Sequence, residues 1–400
     1  MACCTLPLVD CVHYSPRTRP WVHALTLGSV VWLLARLVVL GISLVAWCTE
    51  LSPGVTDRLG DPSADSVTGL PGLLGHWDTN YYFTIASQGY GADAEYGLAA
   101  FFPGYPYLSR WVAAVLPSQS TGLAMLVVAS ASSWWTAVVF SRLVALETGA
   151  GDELSYNELL PVVLLMAGPY SVFLYASYAE SLYLALAVTA WYLARRGRWW
   201  TCAALLSLAV LVRVNAVFLV AAVLVMQACR CGLSRWWRFS WVVLPAGFLL
   251  GWFAHLYSVT GDALAWSHAQ GHGWNRELNL PVMTIARTLG VAAVGSTPDR
   301  QLQFLLDFIF FLVVLSCCWA WWRRRDYAEL TYATLLVLSM GTSTTLVSFA
   351  RNSVTLFPTW VLAGDVLTRA RTRVRVLVMA SSFLLFTLNT FLFSIGAWTD

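Results

Sequence analysis

Residues 24–48 read ALTLGSVVWLLARLVVLGISLVAWC, an unbroken apolar stretch with one charge, Arg36, near its middle. At 1.5 Å per residue a helix of this length exceeds the roughly 30 Å hydrocarbon core of a bilayer. The stretch is too long for the apolar core of a signal peptide and has no clear small-residue cleavage site. It is therefore expected to be retained as a first membrane span. Arg36 must then face the bundle interior or snorkel toward the surface, and no catalytic role is expected of it.

Outward from this stretch, similar runs recur at 121–146, 159–176, 179–194, 199–212, 214–229, 239–258, 303–322, 328–349, 354–368 and 375–396. The expectation is an all-α integral membrane protein, one transmembrane domain over residues 1–400 with about eleven helices and a range of nine to thirteen. The uncertainty lies in 199–212 and 214–229, which are short enough to be half-helices or a re-entrant pair. Composition agrees: 58% of residues are hydrophobic and 11% charged, outside the range of soluble domains. The net charge of +3 does not imply a nucleic-acid partner, because the basic residues sit in short runs between apolar segments. Nine cysteines without a CxxC pair argue against a disulfide framework or a zinc site.

Every basic residue is arginine. The clusters are Arg17 and Arg19, Arg195 with Arg196 and Arg198, Arg230 with Arg235 and Arg238, Arg323 to Arg325, and Arg369 with Arg371, Arg373 and Arg375. With eleven alternating spans all five fall on one side, which the positive-inside rule makes cytoplasmic. The long segments 49–120 and 259–302 then face outward. The first is acidic, with Glu50, Asp57, Asp61, Asp65, Asp78, Asp93 and Glu95. Within it, 78–88 and 105–116 suit short interfacial helices separated by a turn from Gly89 to Gly97.

The densest polar and aromatic cluster is His76-Trp77-Asp78-Thr79-Asn80-Tyr81-Tyr82, followed by Phe101-Phe102-Pro103-Gly104-Tyr105-Pro106. A carboxylate among aromatics is partly desolvated, which suits Asp78 to take a proton from a hydroxyl. The competing reading makes Asp78 the N-cap of the helix that follows. Three further sites lie at span ends on the same face: Glu180, Arg213 with Asn215, and Arg351 with Asn352. Glu180 and Arg213 suit a structural ion pair, whereas Arg213 and Arg351 have the fork geometry that holds a phosphate. In 259–302, Gln270, His272 and Trp274 suit a carbohydrate-facing loop or a simple interfacial anchor. The interposed Gly271 and Gly273 argue against a helix there, and a metal held by His268 and His272 is not expected.

These segments resemble the PIG-V family, the GPI mannosyltransferase II group with its bacterial relatives among the GT-C membrane glycosyltransferases. The resemblance runs through Trp77-Asp78 with Tyr82 to Tyr90, Phe101 to Pro106, Tyr175 to Ser181, Arg195 to Trp200 with Leu211 to Asn215, Gln270 to Arg276, and Arg351 to Pro358. It implies a GT-C-type bundle and an inverting enzyme taking mannose from a polyprenyl-phosphate carrier such as dolichyl phosphate. The acceptor would be a glycan, a glycolipid or an exported molecule on the extracytoplasmic face. No metal or other cofactor is implied. The family pattern places the catalytic Asp at Asp78; Arg213 and Arg351 would hold the donor phosphate. Trp77, Tyr82, Tyr105, Glu180, Asn215, Gln270, His272 and Trp274 would contact the sugars. The N-terminus and the acidic 49–75 stretch depart from the eukaryotic members, and compact size with all-arginine usage favours an actinobacterial relative, with the site outside the plasma membrane; in a eukaryote it would face the lumen of the endoplasmic reticulum. The competing class is a transporter or flippase of a lipid-linked sugar, but such proteins often carry internal repeats, and no repeat is detectable here.

Overall fold

The computed structural model describes residues 19–48, 70–91, 97–148, 156–232, 234 and 236–397. Arg17, Arg235, Glu50, Asp57, Asp61, Asp65, Asp93 and Glu95 lie outside the described residues, as does most of the Gly89–Gly97 turn. In chain order the first helices are α1 (Arg19–Cys48), α2 (Leu70–Leu73), α3 (Thr79–Gln88), α4 (Gly104–Val115), α5 (Thr121–Thr148), α6 (Tyr156–Met166), α7 (Glu180–Arg195), α8 (Trp199–Val210) and α9 (Ala216–Cys231). Then come α10 (Val243–Thr260), α11 (Ala265–Trp274), α12 (Pro281–Val294), α13 (Pro298–Arg324), α14 (Tyr327–Gly341), α15 (Phe349–Val354), α16 (Pro358–Arg369) and α17 (Thr372–Ser394). No strand occurs among the described residues. The two short helices expected in the first long segment are α3 and α4.

The apolar runs divide into two kinds. Five helices are long and apolar enough to cross a membrane: α1, α5, α13, α17, and α10 with the 3-10 turn before it. The other six runs give α6, α7, α8, α9, α14 and α16, of 11 to 16 residues. Such helices span about 16–24 Å, less than the hydrocarbon core. The difference follows burial. The faces of α10 and α17 are largely exposed, with Leu250, Leu377 and Leu384 each about two-thirds accessible, whereas α7 is buried along its length. The long helices α1, α10, α13 and α17 thus form an apolar wall around a core of shorter helices and the long helix α5, which is itself 67% buried. Glycine permits one close approach in this wall: a Cβ on Gly28 of α1 would lie 2.7 Å from the Val138 Cα of α5.

The short helices end early because the chain breaks inside the protein. Helix α6 stops at Met166, where Pro169 supplies no N–H and a Cβ on Gly168 would meet the Leu164 carbonyl. Residues 167–179 then run irregularly to Glu180, almost entirely buried. Backbone polar groups in such a place need partners. Gly168 N donates to Ser171 Oγ at 2.8 Å, Asn389 Nδ2 donates to the Pro169 carbonyl at 2.9 Å, and Ser177 N donates to the Leu74 carbonyl at 2.8 Å. Arg36 Nη1 donates to the Tyr175 carbonyl at 2.7 Å, so the mid-span arginine faces the bundle and completes this set. A second irregular stretch, Thr342 to Ser348, separates α14 from α15.

The arginine clusters share one end of the bundle. Arg195 pairs with Glu147 at 3.1 Å and with Glu329 just beyond Arg323 to Arg325. Arg230 Nη1 donates to the Ala194 and Arg195 carbonyls, both at 3.0 Å. Asp365 joins Arg324 at 2.9 Å to Arg369 at 2.7 Å. At the start of α1, Trp21 packs on Tyr192 near the end of α7.

Candidate active site

At the opposite end of α7 the site begins with a strained turn. Trp77 has φ 55°, a left-handed conformation uncommon for a bulky residue, and Asp78 follows it at the entrance to α3. The capping alternative for Asp78 is not met, since its side chain makes no cap hydrogen bond. The carboxylate turns across the fold, and Oδ2 accepts from Arg351 Nη1 at 2.8 Å. Thr79 Oγ1 donating to the Ser177 carbonyl at 3.2 Å and Tyr178 OH donating to the His76 carbonyl at 2.8 Å fix this turn against the irregular 175–179 stretch.

Four charged side chains form a connected chain here. Glu180 Oε1 is 2.5 Å from Arg351 Nε and 2.5 Å from Arg213 Nη1, while Arg351 also reaches Asp78. The formal charges cancel, two against two. Exposure falls from the ends to the centre: the side chains of Arg213 and Asp78 are 15% and 13% accessible, those of Arg351 and Glu180 5% and 0%. The Arg351 guanidinium lies 4.8 Å from the Phe173 ring centroid and 4.5 Å from that of Tyr178. Aromatic faces at this distance stabilise a desolvated cation. Asn352 extends the network, its Oδ1 accepting from Arg213 Nη2 at 2.8 Å and from Asn215 Nδ2 at 3.0 Å. The ion-pair and phosphate readings of these arginines are therefore not separate: both guanidiniums already balance a buried carboxylate.

The motif around Gly104 positions Arg213. Gly104 N donates to the Leu211 carbonyl at 2.7 Å, and a Cβ on Gly104 would stand 2.7 Å from Val212 Cγ2 and 2.8 Å from that carbonyl. Only glycine lets α4 start against the turn that carries Arg213. Beside it, Tyr82 is buried between Phe101, Tyr105 and Tyr178. Burial pushes its phenol well above the ordinary tyrosine range, with Glu180 and Asp78 adding to the effect against Arg213 and Arg351. Tyr82 thus remains a protonated donor.

Tyr105 requires a correction. It is fully buried and its hydroxyl donates to the Met125 carbonyl at 2.9 Å, so it packs behind Tyr82 instead of contacting sugar. The expectation of a non-helical loop around Gly271 and Gly273 is also corrected, because Ala265 to Trp274 form α11. Glycine costs a helix only about 1 kcal/mol. The Asp262 side chain accepts from Leu264 N at 2.8 Å at the start of α11, and left-handed Asn275 closes its end, which offsets that cost. His268 is bonded to Asp262 at 2.7 Å, and His272 Nδ1 donates to the His268 carbonyl at 2.8 Å. Gln270 is half-buried and His272 exposed. Trp274 joins the site through Phe101 at 5.3 Å and Tyr81 at 5.6 Å between ring centroids. The two long segments therefore meet over α3. Asp307 of α13, which stands out in the sequence as a lone acid within an apolar run, also serves the site from behind by bonding the backbone that leads into Arg351.

Residues 24–234, more than half of the chain, match the family described as Mannosyltransferase (PIG-V). That stretch contains Asp78, Glu180 and Arg213; Arg351 and α11 lie beyond it. Among similar proteins, GPI alpha-1,6-mannosyltransferase 2 of Homo sapiens is 31% identical over 156 residues, 38% of this chain and 31% of that protein. Its counterpart from Cricetulus griseus is 32% identical over 172 residues, 41% of this chain and 33% of that protein. The chain spans about a third of the length of the curated relatives it matches. A solved structure, the Archaeoglobus fulgidus oligosaccharyltransferase tethered with an acceptor peptide, is 12% identical with a TM-score of 0.40, covering 93% of this chain and 55% of that one, a likeness too weak to build on. On the family match, the chain belongs to the PIG-V mannosyltransferase family.

Proposed function

We propose that this protein transfers mannose from a polyprenyl-phosphate carrier to a hydroxyl of a glycan, glycolipid or exported acceptor, with inversion, at the extracytoplasmic face of its membrane. The observation that carries this reading is the placement of the Asp78 carboxylate at the accessible end of a charge-balanced network whose other accessible end is Arg213. In the proposed displacement the acceptor O–H bond breaks, with its proton passing to Asp78. The acceptor oxygen bonds to the anomeric carbon on the face opposite the phosphate. The bond from that carbon to the phosphate oxygen breaks, and its electron pair leaves with the prenyl phosphate. Phosphate is already a good leaving group, so the scheme needs one base and no general acid. It invokes no metal or cofactor.

The geometry divides the arginine roles. Arg351, held by both Asp78 and Glu180, orients the base and balances its charge. Arg213, the more accessible guanidinium, is the one a departing phosphate reaches, and charge developing there is stabilised where water is excluded. Trp274 and Tyr81, both half-buried, supply ring faces for stacking on sugar, with Phe101 packed behind them, and Asn215 and Gln270 supply amides for its hydroxyls.

The test is transfer of labelled mannose from synthetic polyprenyl-phosphate-mannose by purified protein in lipid, with Asp78→Asn beside wild type. Loss of the carboxylate is expected to reduce transfer by about 10²-fold or more. Near-normal transfer by a folded Asp78→Asn protein removes Asp78 as the base. Donor binding without transfer by either form favours the flippase reading.

A further inference from the structure

The proposed chemistry leaves the buried carboxylate of Asp307 unused. Asp307 lies inside the spanning helix α13 and is 1% exposed. A carboxylate at membrane depth is costly unless it is bonded, and it marks a functional role by default. Its Oδ1 accepts from the N–H of Ala350 at 2.8 Å and its Oδ2 from the N–H of Ser348 at 3.2 Å.

Those two amides belong to the entrance of α15, the short helix that presents Arg351 and Asn352. The first N–H groups of a helix have no partner within it. The residue in the capping position, Ser348, makes no side-chain cap bond, and it is held at φ 64° in the left-handed region, where a residue other than glycine is strained. A carboxylate from another helix therefore does the work that the local sequence leaves undone. The stretch leading to Ser348 is tethered as well. Asn279 N donates to the Thr342 carbonyl at 2.7 Å, Thr284 Oγ1 donates to the Ser343 carbonyl, and Leu346 N donates to Thr288 Oγ1 at 2.9 Å. Asn279, α12 and α13 thus grip the irregular stretch along its length, and Asp307 grips it last, at Ser348 and Ala350, three residues and one residue before Arg351.

We infer that Asp307 is a positioning residue for the transfer reaction: by holding the amides of Ser348 and Ala350 it sets the register of α15, which aims Arg351 at Asp78 and Glu180 and Asn352 at Arg213. A slip of one residue in a helix turns each side chain by about 100°, enough to take Arg351 off both carboxylates. The inference rests on the transferase reading for its effect on turnover, but its structural half does not.

Two measurements test it on the full chain in lipid. The first is amide hydrogen exchange of wild type and Asp307→Asn, with exchange expected to speed up over residues 346–354 while α7 and α9 keep wild-type protection. Acceleration spread evenly through the bundle, or none at 346–354, overturns the inference. The second is a kinetic cycle of Asp307→Asn, Arg351→Lys and the double variant. Asp307→Asn is expected to lower kcat by about tenfold or more while donor KM moves by less than about threefold, and the double variant should be no slower than Arg351→Lys alone. Losses that multiply show that Asp307 does not act through Arg351. Should Asp307→Asn not fold, Asp307→Glu, with its charge kept and one methylene added, takes its place in both. If wild type shows no transfer, the transferase reading fails by itself, and the exchange result still decides whether Asp307 holds α15.

Discussion

The two ends of α7 carry mirror-image ionic clusters. At its start one carboxylate, Glu180, serves two guanidiniums, Arg213 and Arg351; at its finish one guanidinium, Arg195, serves two carboxylates, Glu147 and Glu329. Both signs suit the helix dipole, with the acid at the N-terminus and the base at the C-terminus. The surroundings differ. Glu180 is wholly buried among ring faces and irregular backbone, whereas Arg195 is 24% accessible and Arg230 ties the same helix end through its carbonyls. A partly wet ion pair is a cheap fastening worth about 1 kcal/mol or less. A network with a fully buried centre gains little stability over an apolar replacement, so its retention calls for another reason. On the proposed function, the difference makes the Glu180 end the working end and the Arg195 end a tie.

The largest expected effect tests the centre of the buried network. Glu180→Gln leaves Arg213 and Arg351 with Asp78 as the only acid of the four, taking the cluster from neutral to +1. Breaking a buried pair from one side typically costs about 3–5 kcal/mol. The variant should unfold well below wild type in a thermal scan in detergent, and any folded fraction should have lost transfer. A Glu180→Gln protein of normal stability and activity would make both ends of α7 equivalent and end the distinction.

A smaller effect is expected from Gly104→Ala, which alters no charge. The added methyl meets Val212 Cγ2 and the Leu211 carbonyl. Overpacking of this kind costs about 1–3 kcal/mol. The displaced 211–213 turn carries Arg213, so transfer should fall by roughly tenfold or more, given how steeply catalysis depends on ångström-scale placement. Steady-state kinetics and a melting curve on the same sample separate the two effects. Full activity would show that α4 does not position Arg213.

The charges of the Glu180 end are readable in the sequence: Glu180, Arg213 and Arg351 each interrupt or border an apolar run, and Asp78 stands among aromatics in the first long segment. Their convergence is not readable, since it depends on where the short helices break. Gly168-Pro169 is a visible stop signal inside the 159–176 run, and it separates a spanning stretch from an 11-residue helix with a buried turn. Periodicity says nothing about the left-handed residues Trp77 and Ser348 that aim Asp78 and Arg351. Tyr105 was misleading because a tyrosine in an aromatic motif serves a core as readily as a sugar. Gly271 and Gly273 were misleading because their propensity cost is small beside the capping and packing that hold α11 in place.

The smallest expected effect belongs to the other end of α7 and guards the comparison. Glu329→Gln removes one of the two carboxylates from Arg195 and leaves Glu147 at 3.1 Å to neutralise it. The cluster goes from −1 to neutral, the opposite of what Glu180→Gln does at the working end, and the two acids no longer repel each other. A pair with one side chain 24% and the other 11% accessible contributes about 1 kcal/mol, at the upper end for such pairs, so the melting temperature should shift by a few degrees. Transfer should stay within about twofold of wild type, since Arg195, the partner of Glu329, lies 15 residues along α7, or about 22 Å, from Glu180. A large loss of transfer with an unchanged melting curve would mean that α7 relays the state of one cluster to the other, and the Arg195 end would then be part of the machinery instead of a fastening.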